Sequence, residues 1–176
     1  MNNEGKILGI IIAFDLDRNG NEFVIRGSLN FYGKPLIKIT NDLLEKINIK
    51  NTLVYTNQKG IIFKNILGKN TKYIVRKNNY LYTSNSLLMD FDDSLKKARH
   101  IMIIDPKYPL LDDTLLTELL DKHLESISDL TYIKGIFNNA ITIPNIFVID
   151  KDFFIEIIRN EFHTKNIEIM VRIYPY

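Results

Sequence analysis

The 176-residue chain is long enough to bury a full core within one domain, and its 45% hydrophobic and 25% charged residues are the proportions of an ordinary globular protein. The lack of cysteine excludes disulfides, thiolate metal sites and a cysteine nucleophile, and it fits a reducing cytoplasm. The 23 basic and 21 acidic residues nearly balance and the N-terminal apolar run is too short to cross a bilayer, so we predict a cytoplasmic protein with neither nucleic-acid nor membrane partners.

The first predicted element is an almost uninterrupted apolar run over residues 7–13, which ends abruptly at a polar segment. Such a short, isoleucine-rich run predicts a strand buried on both faces in the middle of a parallel sheet. The polar segment after it contains Asp15, Asp17 and Arg18. Because ligands of open α/β sheets bind at the carboxyl ends of the strands, this segment is the first candidate site.

Strand and helix patterns alternate further along the chain. We predict a helix over residues 34–48 with Pro35 in its first turn, a strand over 52–56, a helix over 58–67 and a strand over 73–75. This β-α-β-α-β order predicts a parallel sheet with right-handed crossovers.

The second half continues the alternation. A cap at residues 83–86 opens a helix that extends to residue 99, and a second fully apolar strand covers residues 101–104. Beyond it we predict a helix capped by Asp112 or Asp113, strands over 128–134, 146–149 and 167–174, and a helix over 152–161. We therefore expect one three-layer α/β domain spanning residues 1–176.

Only the strands over 7–13 and 101–104 are apolar throughout, so we expect them to be adjacent and parallel in the centre of the sheet. Their carboxyl ends would then bring Asp15, Asp17 and Asp105 to one crevice. Two carboxylates together with phosphate oxygens suffice to hold Mg²⁺. Acids at strand ends also solvate loops and cap helices, so both interpretations stay open.

Four segments between residues 6 and 124 match one known group of enzymes. Residues 8–13 match its first strand, and GKPLI at 33–37 matches the start of its first helix. Residues 73–86 match the segment that reads the nucleobase, and DPKYPLL at 105–111 matches the segment that holds the metal. Together they resemble the sugar-phosphate nucleotidyltransferases, which include N-acetylglucosamine-1-phosphate uridylyltransferase, methylerythritol phosphate cytidylyltransferase and the molybdenum-cofactor guanylyltransferase.

The resemblance implies a three-layer, Rossmann-like α/β fold with a mixed, mostly parallel sheet of the nucleotide-diphospho-sugar transferase type. It implies transfer of a nucleoside monophosphate from an NTP to a phosphorylated sugar or similar small molecule, with release of pyrophosphate. The residues that it assigns are Arg18, Arg26 and Lys107 as catalytic cations that offset phosphate charge, Ala13, Phe14, Asp15, Arg76 and Ser84 for nucleotide binding, and Asp17 and Asp105 for Mg²⁺.

The chain departs from this group in the first loop. The group has a glycine-rich loop there, whose backbone N–H groups wrap the triphosphate. Here Phe14 and Asp15 replace alanine and glycine, and Asp17 replaces a further glycine. The lost glycines favour a non-catalytic descendant that acts as a binding or structural partner, whereas the retained acids favour activity.

The same loop supports two other interpretations. Residues 11–17 resemble the first motif of haloacid-dehalogenase-type phosphatases, with Asp15 as nucleophile and Asp17 as acid/base on Mg²⁺, although Arg18-Asn19 stands where that family has Gly-Thr. Residues 15–20 also fit the first half of an EF-hand calcium loop, but Arg26 occupies the position of its bidentate glutamate.

The three histidines, His100, His123 and His163, are far apart in the chain and share no metal-ligand spacing. Each is therefore predicted to be a surface or internally satisfied histidine rather than a ligand or a base.

Overall fold

The structure, a computed structural model, describes residues 6–13, 26–57, 62–68, 71–76, 91, 93–126, 128–133, 135–137, 140–142 and 146–161. The strands in these ranges are β1 (Ile7–Ile12), β2 (Asn30–Phe31), β3 (Lys34–Pro35), β4 (Thr52–Asn57), β5 (Lys72–Arg76), β6 (His100–Ile104), β7 (Leu130–Tyr132), β8 (Gly135–Phe137), β9 (Ala140–Thr142) and β10 (Ile146–Asp150). The helices are α1 (Leu36–Lys46), α2 (Phe63–Leu67), α3 (Asp113–Glu125) and α4 (Lys151–Glu161), with a 3₁₀ turn at Arg26–Ser28 and helical residues at 91 and 93–95.

Six strands form one sheet in the order β5-β4-β1-β6-β10-β7. Strands β5, β4, β1 and β6 run parallel, whereas β10 is antiparallel to both of its neighbours. The predicted mixed, mostly parallel sheet is therefore confirmed. Strands β2 and β3 form a separate hairpin, as do β8 and β9.

The two apolar strands lie side by side inside this sheet, as predicted. Ile7 pairs with His100 and Ile11 with Ile104 in parallel register. Every residue of β1 is buried, and its side chains alternate between two separate hydrophobic cores. Burial on both faces explains why the sequence of β1 shows a continuous apolar run instead of alternation.

Helices cover both faces of the sheet. One core contains side chains of α1, α2 and α3, including Ile37, Phe63 and Leu116. The other contains Phe154 of α4 together with Phe91. The predicted three-layer arrangement is therefore confirmed. Within the described ranges, no helix combines the length and the apolar character that crossing a membrane requires.

The helix predicted over residues 34–48 begins two residues later, at Leu36. Lys34 and Pro35 pair instead with Phe31 and Asn30, in a two-residue hairpin. Its central residues, Tyr32 and Gly33, have φ angles of 49° and 78°. Positive φ at both positions is typical of the type I′ turn, whose twist matches that of the flanking strands.

Most other predicted boundaries agree with the structure to within two residues. Asp112 caps α3 as predicted, because its side chain accepts a hydrogen bond of 2.8 Å from the backbone N–H of Leu115. Strand β7 is shorter than the predicted range 128–134. The start of the helix over 58–67, the first residues of the helix predicted to extend to residue 99, and the strand over 167–174 lie outside the described residues. The described helical residues of the second of these helices end at residue 95.

Because Gly9 has no side chain, Leu44 of α1 and Ile49 after this helix can approach the backbone of β1. A Cβ atom at this position would lie 3.1 Å from both Leu44 Cδ1 and Ile49 Cγ2. Because both neighbours are fully or almost fully buried, neither has free space to move into.

We expect Gly9→Val to lower the free energy of unfolding by about 1–3 kcal/mol, because overpacking displaces the side chains around it. Gly9→Ala, which adds a single methyl group, is the graded control and should lose less. Urea unfolding of the three proteins measures the difference. A valine variant as stable as the wild type would contradict this account of the packing.

Candidate functional site

The loop after β1 starts from a fixed point at the carboxyl edge of the sheet. Ala13 is buried, and its backbone N–H donates a 2.9 Å hydrogen bond to the carbonyl of Tyr55. The buried hydroxyl of Thr56 donates a 3.1 Å hydrogen bond to the carbonyl of Ala13. Both backbone groups of Ala13 are thus bonded to β4, and the direction in which the chain leaves the sheet is set by β4.

A lysine–carboxylate pair follows β6 at the same edge. The backbone N–H of Lys107 donates to Asp105 Oδ1 at 3.0 Å, and its Nζ lies 2.8 Å from Asp105 Oδ2. The two side chains are 30% and 15% exposed, respectively. Lys107 Nζ also lies 5.2 Å from the ring centroid of Tyr108, within the range of a cation–π interaction.

Burial of Lys107 disfavours its charged form, but the hydrogen bond and the charge of Asp105 outweigh this effect and raise the pKa of the lysine. The ammonium is therefore retained at neutral pH. The carboxyl edge of β6 thus presents a carboxylate whose two oxygens both accept hydrogen bonds from one following residue.

The sheet register brings Ala13 and Asp105 to the ends of neighbouring strands. Ile11 pairs with Ile104, so the chain leaves both strands at the same level of the sheet. Adjacent strands lie about 4.8 Å apart, which places the two exits within reach of one small ligand. Arg76 is the last residue of β5, which ends at this same edge two strands away from β1.

The other predicted site residues are only partly placed. Arg26 begins the 3₁₀ turn that packs against α1, and neither its side chain nor that of Arg76 is described. Five of the predicted residues lie outside the described residues altogether: Phe14, Asp15, Asp17, Arg18 and Ser84. Within the described part of the chain, no three acidic or histidine side chains converge as metal ligands, and the Asp17–Asp105 pair stays a prediction.

Two histidines that are distant in sequence meet at the opposite edge of the sheet. His123 Nε2 lies 3.2 Å from His100 Nδ1, and His123 Nδ1 lies 3.0 Å from the hydroxyl of Thr131. His123 is only 2% exposed, so the prediction of an internally satisfied histidine is confirmed for it. The sequence analysis did not predict this contact. It arises because α3 runs back along the sheet and brings its last turn to the start of β6.

These histidines line a cavity of about 420 Å³ whose rim carries Lys6, Arg99 and Asp150. Strands β1 and β6 begin there, so the cavity lies at the opposite end of the sheet from Ala13. Among the described residues that line this cavity, none is predicted from the sequence to bind a nucleotide.

The environment of both histidines favours their neutral forms. Burial lowers the pKa of His100, the charges of Arg99 and Lys6 lower it further, and Asp150 opposes them. Burial also lowers the pKa of His123, as does the proximity of His100, against the opposing charges of Asp150 and Asp129. Protonating both rings would place two positive charges about 3 Å apart.

A histidine whose pKa is lowered on folding binds protons more readily in the unfolded chain, so its contribution to stability is complete above pH 6.5 and is lost as the pH falls through the folded-state pKa. We therefore expect the free energy of unfolding to fall between pH 7.5 and pH 5.5. His100→Gln, which keeps a polar partner for His123, should show a shallower fall. Urea unfolding across this range tests the expectation, and an unchanged pH slope in the variant would refute it.

Comparisons with known proteins indicate which sequences and folds this chain is similar to. No family model matches the chain. The bifunctional protein GlmU of Thermoanaerobacter pseudethanolicus is 25% identical over 107 residues, which cover 61% of this chain and 23% of that protein. The chain therefore spans less than a quarter of the length of that relative.

Solved structures match over most of the chain. Rv0371c from Mycobacterium tuberculosis H37Rv, in a complex with manganese, matches with a TM-score of 0.63 at 11% identity. The match covers 88% of this chain and 76% of the Rv0371c chain. The 4-diphosphocytidyl-2C-methyl-D-erythritol synthase from Anaerococcus prevotii has a TM-score of 0.60 at 15% identity, with 93% and 80% covered. The chain thus has, in divergent form, the fold of the nucleotide-diphospho-sugar transferase superfamily that its sequence resembles.

Proposed function

We propose that the chain is a nucleotidyltransferase that moves a nucleoside monophosphate from an NTP to a phosphorylated sugar or similar small molecule. The main support is the pairing of β1 with β6, which puts Ala13 and the Asp105–Lys107 pair at the ends of adjacent strands. The partial match to GlmU and the likeness to the Anaerococcus prevotii synthase favour the same class of reaction. We further propose that residues 1–176 act as one domain in the cytoplasm.

Phosphate charge would be offset by cations around this edge. Lys107 carries its charge at the end of β6, and we propose that Arg18 and Arg26 complete the set. Displacement of pyrophosphate by a phosphorylated acceptor needs no covalent intermediate on the protein. Catalysis would therefore consist of holding the two substrates in line and stabilising the negative charge of the transition state.

The nucleotide would occupy the space beyond the carboxyl ends of β1 and β5. Because the N–H of Ala13 is bonded to Tyr55, Ala13 would shape the start of the loop rather than donate to a phosphate. We propose that the remaining contacts are made by Arg76 and Ser84 and, through the backbone of the loop, by Phe14 and Asp15.

A divalent ion fits the donor chemistry of this edge in part. Asp105 supplies a carboxylate at the end of a central strand, which is the kind of oxygen ligand that Mg²⁺ prefers. The manganese complex of Rv0371c supports the use of a divalent ion by this fold. We propose that Asp17 and Asp105 hold Mg²⁺, which when bound would neutralise charge on the phosphates.

A non-catalytic descendant is the second candidate function. It is favoured by one observation, the replacement of loop glycines by Asp15 and Asp17. Carboxylates facing a triphosphate repel it, and the loop would then serve a protein partner or a structural role instead.

Calorimetry with the four common NTPs and Mg²⁺ should show binding no tighter than about 100 μM, because the two loop carboxylates oppose the triphosphate. Asp15→Gly should bind the nucleotide equally well or more tightly, since it removes one negative charge and frees the backbone of the loop. Binding that is tight and independent of metal would contradict this account of the loop. A descendant without activity should bind no nucleotide in either form.

Asp15→Asn separates transfer from phosphate-ester hydrolysis. A phosphatase of the haloacid-dehalogenase type needs this carboxylate as its nucleophile, so the variant should lose all such activity. We expect the wild type to show no hydrolysis of a generic phosphate ester such as p-nitrophenyl phosphate. Hydrolysis by the wild type that disappears in Asp15→Asn would overturn the nucleotidyltransferase proposal.

A further inference from the structure

The carboxylate proposed to hold the metal already has a positive charge beside it. Asp105 Oδ2 lies 2.8 Å from the ammonium of Lys107, while Oδ1 accepts the backbone N–H of the same residue. The carboxylate is 15% exposed, so solvent screens this contact less than it would screen a surface ion pair. Lys107 therefore occupies an oxygen that a divalent ion bound to Asp105 could also use.

A divalent ion on Asp105 and the ammonium of Lys107 in its present position compete for the charge of one carboxylate. Both would contact the same small carboxylate, and two cations at that separation repel strongly in a partly desolvated site. The ion therefore binds Asp105 more tightly once the ammonium has moved away. Lys107 has room to move away from Asp105, because its side chain is 30% exposed.

We propose that Lys107 is the resident cation of Asp105, and that a divalent ion and a nucleotide bind this edge cooperatively because phosphate draws the ammonium away from the carboxylate. The cooperative part depends on the proposed nucleotidyltransferase function. Without a phosphate to accept it, the lysine stays on Asp105 and the protein binds divalent ions weakly. With a phosphate in place, the ammonium no longer competes with the ion at Asp105 Oδ2, and by reciprocity the ion strengthens nucleotide binding by the same factor.

The structure permits a clean substitution at this position. Lys107→Met removes the ammonium but keeps the backbone N–H that holds Asp105 Oδ1, so the carboxylate retains its orientation. Lys107→Gln, which keeps a neutral donor for Oδ2, is the second variant and replaces the methionine protein if that protein fails to fold. Lys107→Arg keeps the charge. Far-UV circular dichroism and thermal unfolding verify the fold of each variant.

The test is the affinity for Mn²⁺ in the absence of nucleotide, measured by electron paramagnetic resonance of the free ion. Removing the ammonium should tighten Mn²⁺ binding roughly tenfold, because the competing charge is gone. Lys107→Arg should bind Mn²⁺ as weakly as the wild type. The double variant Asp105→Asn/Lys107→Met should lose the gain.

A matched control is Lys122→Met, which frees the carboxylate of Glu118 from an exposed ion pair and makes the same change in net charge. It should leave Mn²⁺ affinity at the wild-type value. A Lys107→Met or Lys107→Gln protein that binds Mn²⁺ no more tightly than the wild type would overturn the proposal, as would an equal gain in Lys107→Arg or in Lys122→Met.

Adding an NTP separates the two proposals. Because an NTP chelates Mn²⁺ itself, both proteins are measured with the same NTP and the protein-free Mn²⁺–NTP mixture is subtracted. The protein-dependent Mn²⁺ binding of the wild type should then approach that of Lys107→Met. If no NTP binds to any variant, the proposed function and the cooperativity both fail, whereas the Mn²⁺ comparison without nucleotide still decides whether Lys107 is the resident cation.

Discussion

Strand β1 has no surface that can face water, and this constraint organises the molecule. All six of its residues are buried, so it needs a hydrogen-bonded neighbour on each edge and a layer of helices on each face. Strands β4 and β6 supply the edges. Helices α1 and α3 cover one face, and α4 covers the other. The remaining elements are arranged around these four contacts.

The candidate site is a consequence of the same arrangement. Parallel neighbours end at a common edge, and the hydroxyl of Thr56 holds the carbonyl of Ala13 at the point where β1 ends. One strand further along, β6 ends at Asp105. The strand ends thus position the site, whereas the residues that would contact a ligand belong mostly to the segments that follow the strands.

Features that depend on local pattern were predictable from the sequence. The two continuous apolar runs indicated central strands, and the spacing from Asp112 to the leucines of α3 indicated a capped helix. The GKPLI segment at 33–37 was predicted to lie at the start of a helix, and α1 begins within it, at Leu36. Its first residues were nevertheless assigned to a helix, because Pro35 suits a helix start as well as the end of a hairpin strand.

Features that depend on partners from elsewhere were not predictable in the same way. The contact between His100 and His123 arises because α3 crosses back over the sheet, and no spacing rule records that path. Asp105 and Lys107 were both identified, but with separate roles as metal ligand and phosphate cation. Only the coordinates place the ammonium directly on the carboxylate.

The position of β1 in the sheet also affects how the chain folds during synthesis. Its first neighbour, β4, follows soon after it, but the opposite edge waits for β6, since Ile7 pairs with His100. Until the ribosome has released the chain as far as β6, Ile7–Ile12 has one open hydrogen-bonding edge and incomplete cover on its faces. During that interval one of the two continuously apolar strands of the protein is exposed to chaperones and to neighbouring nascent chains.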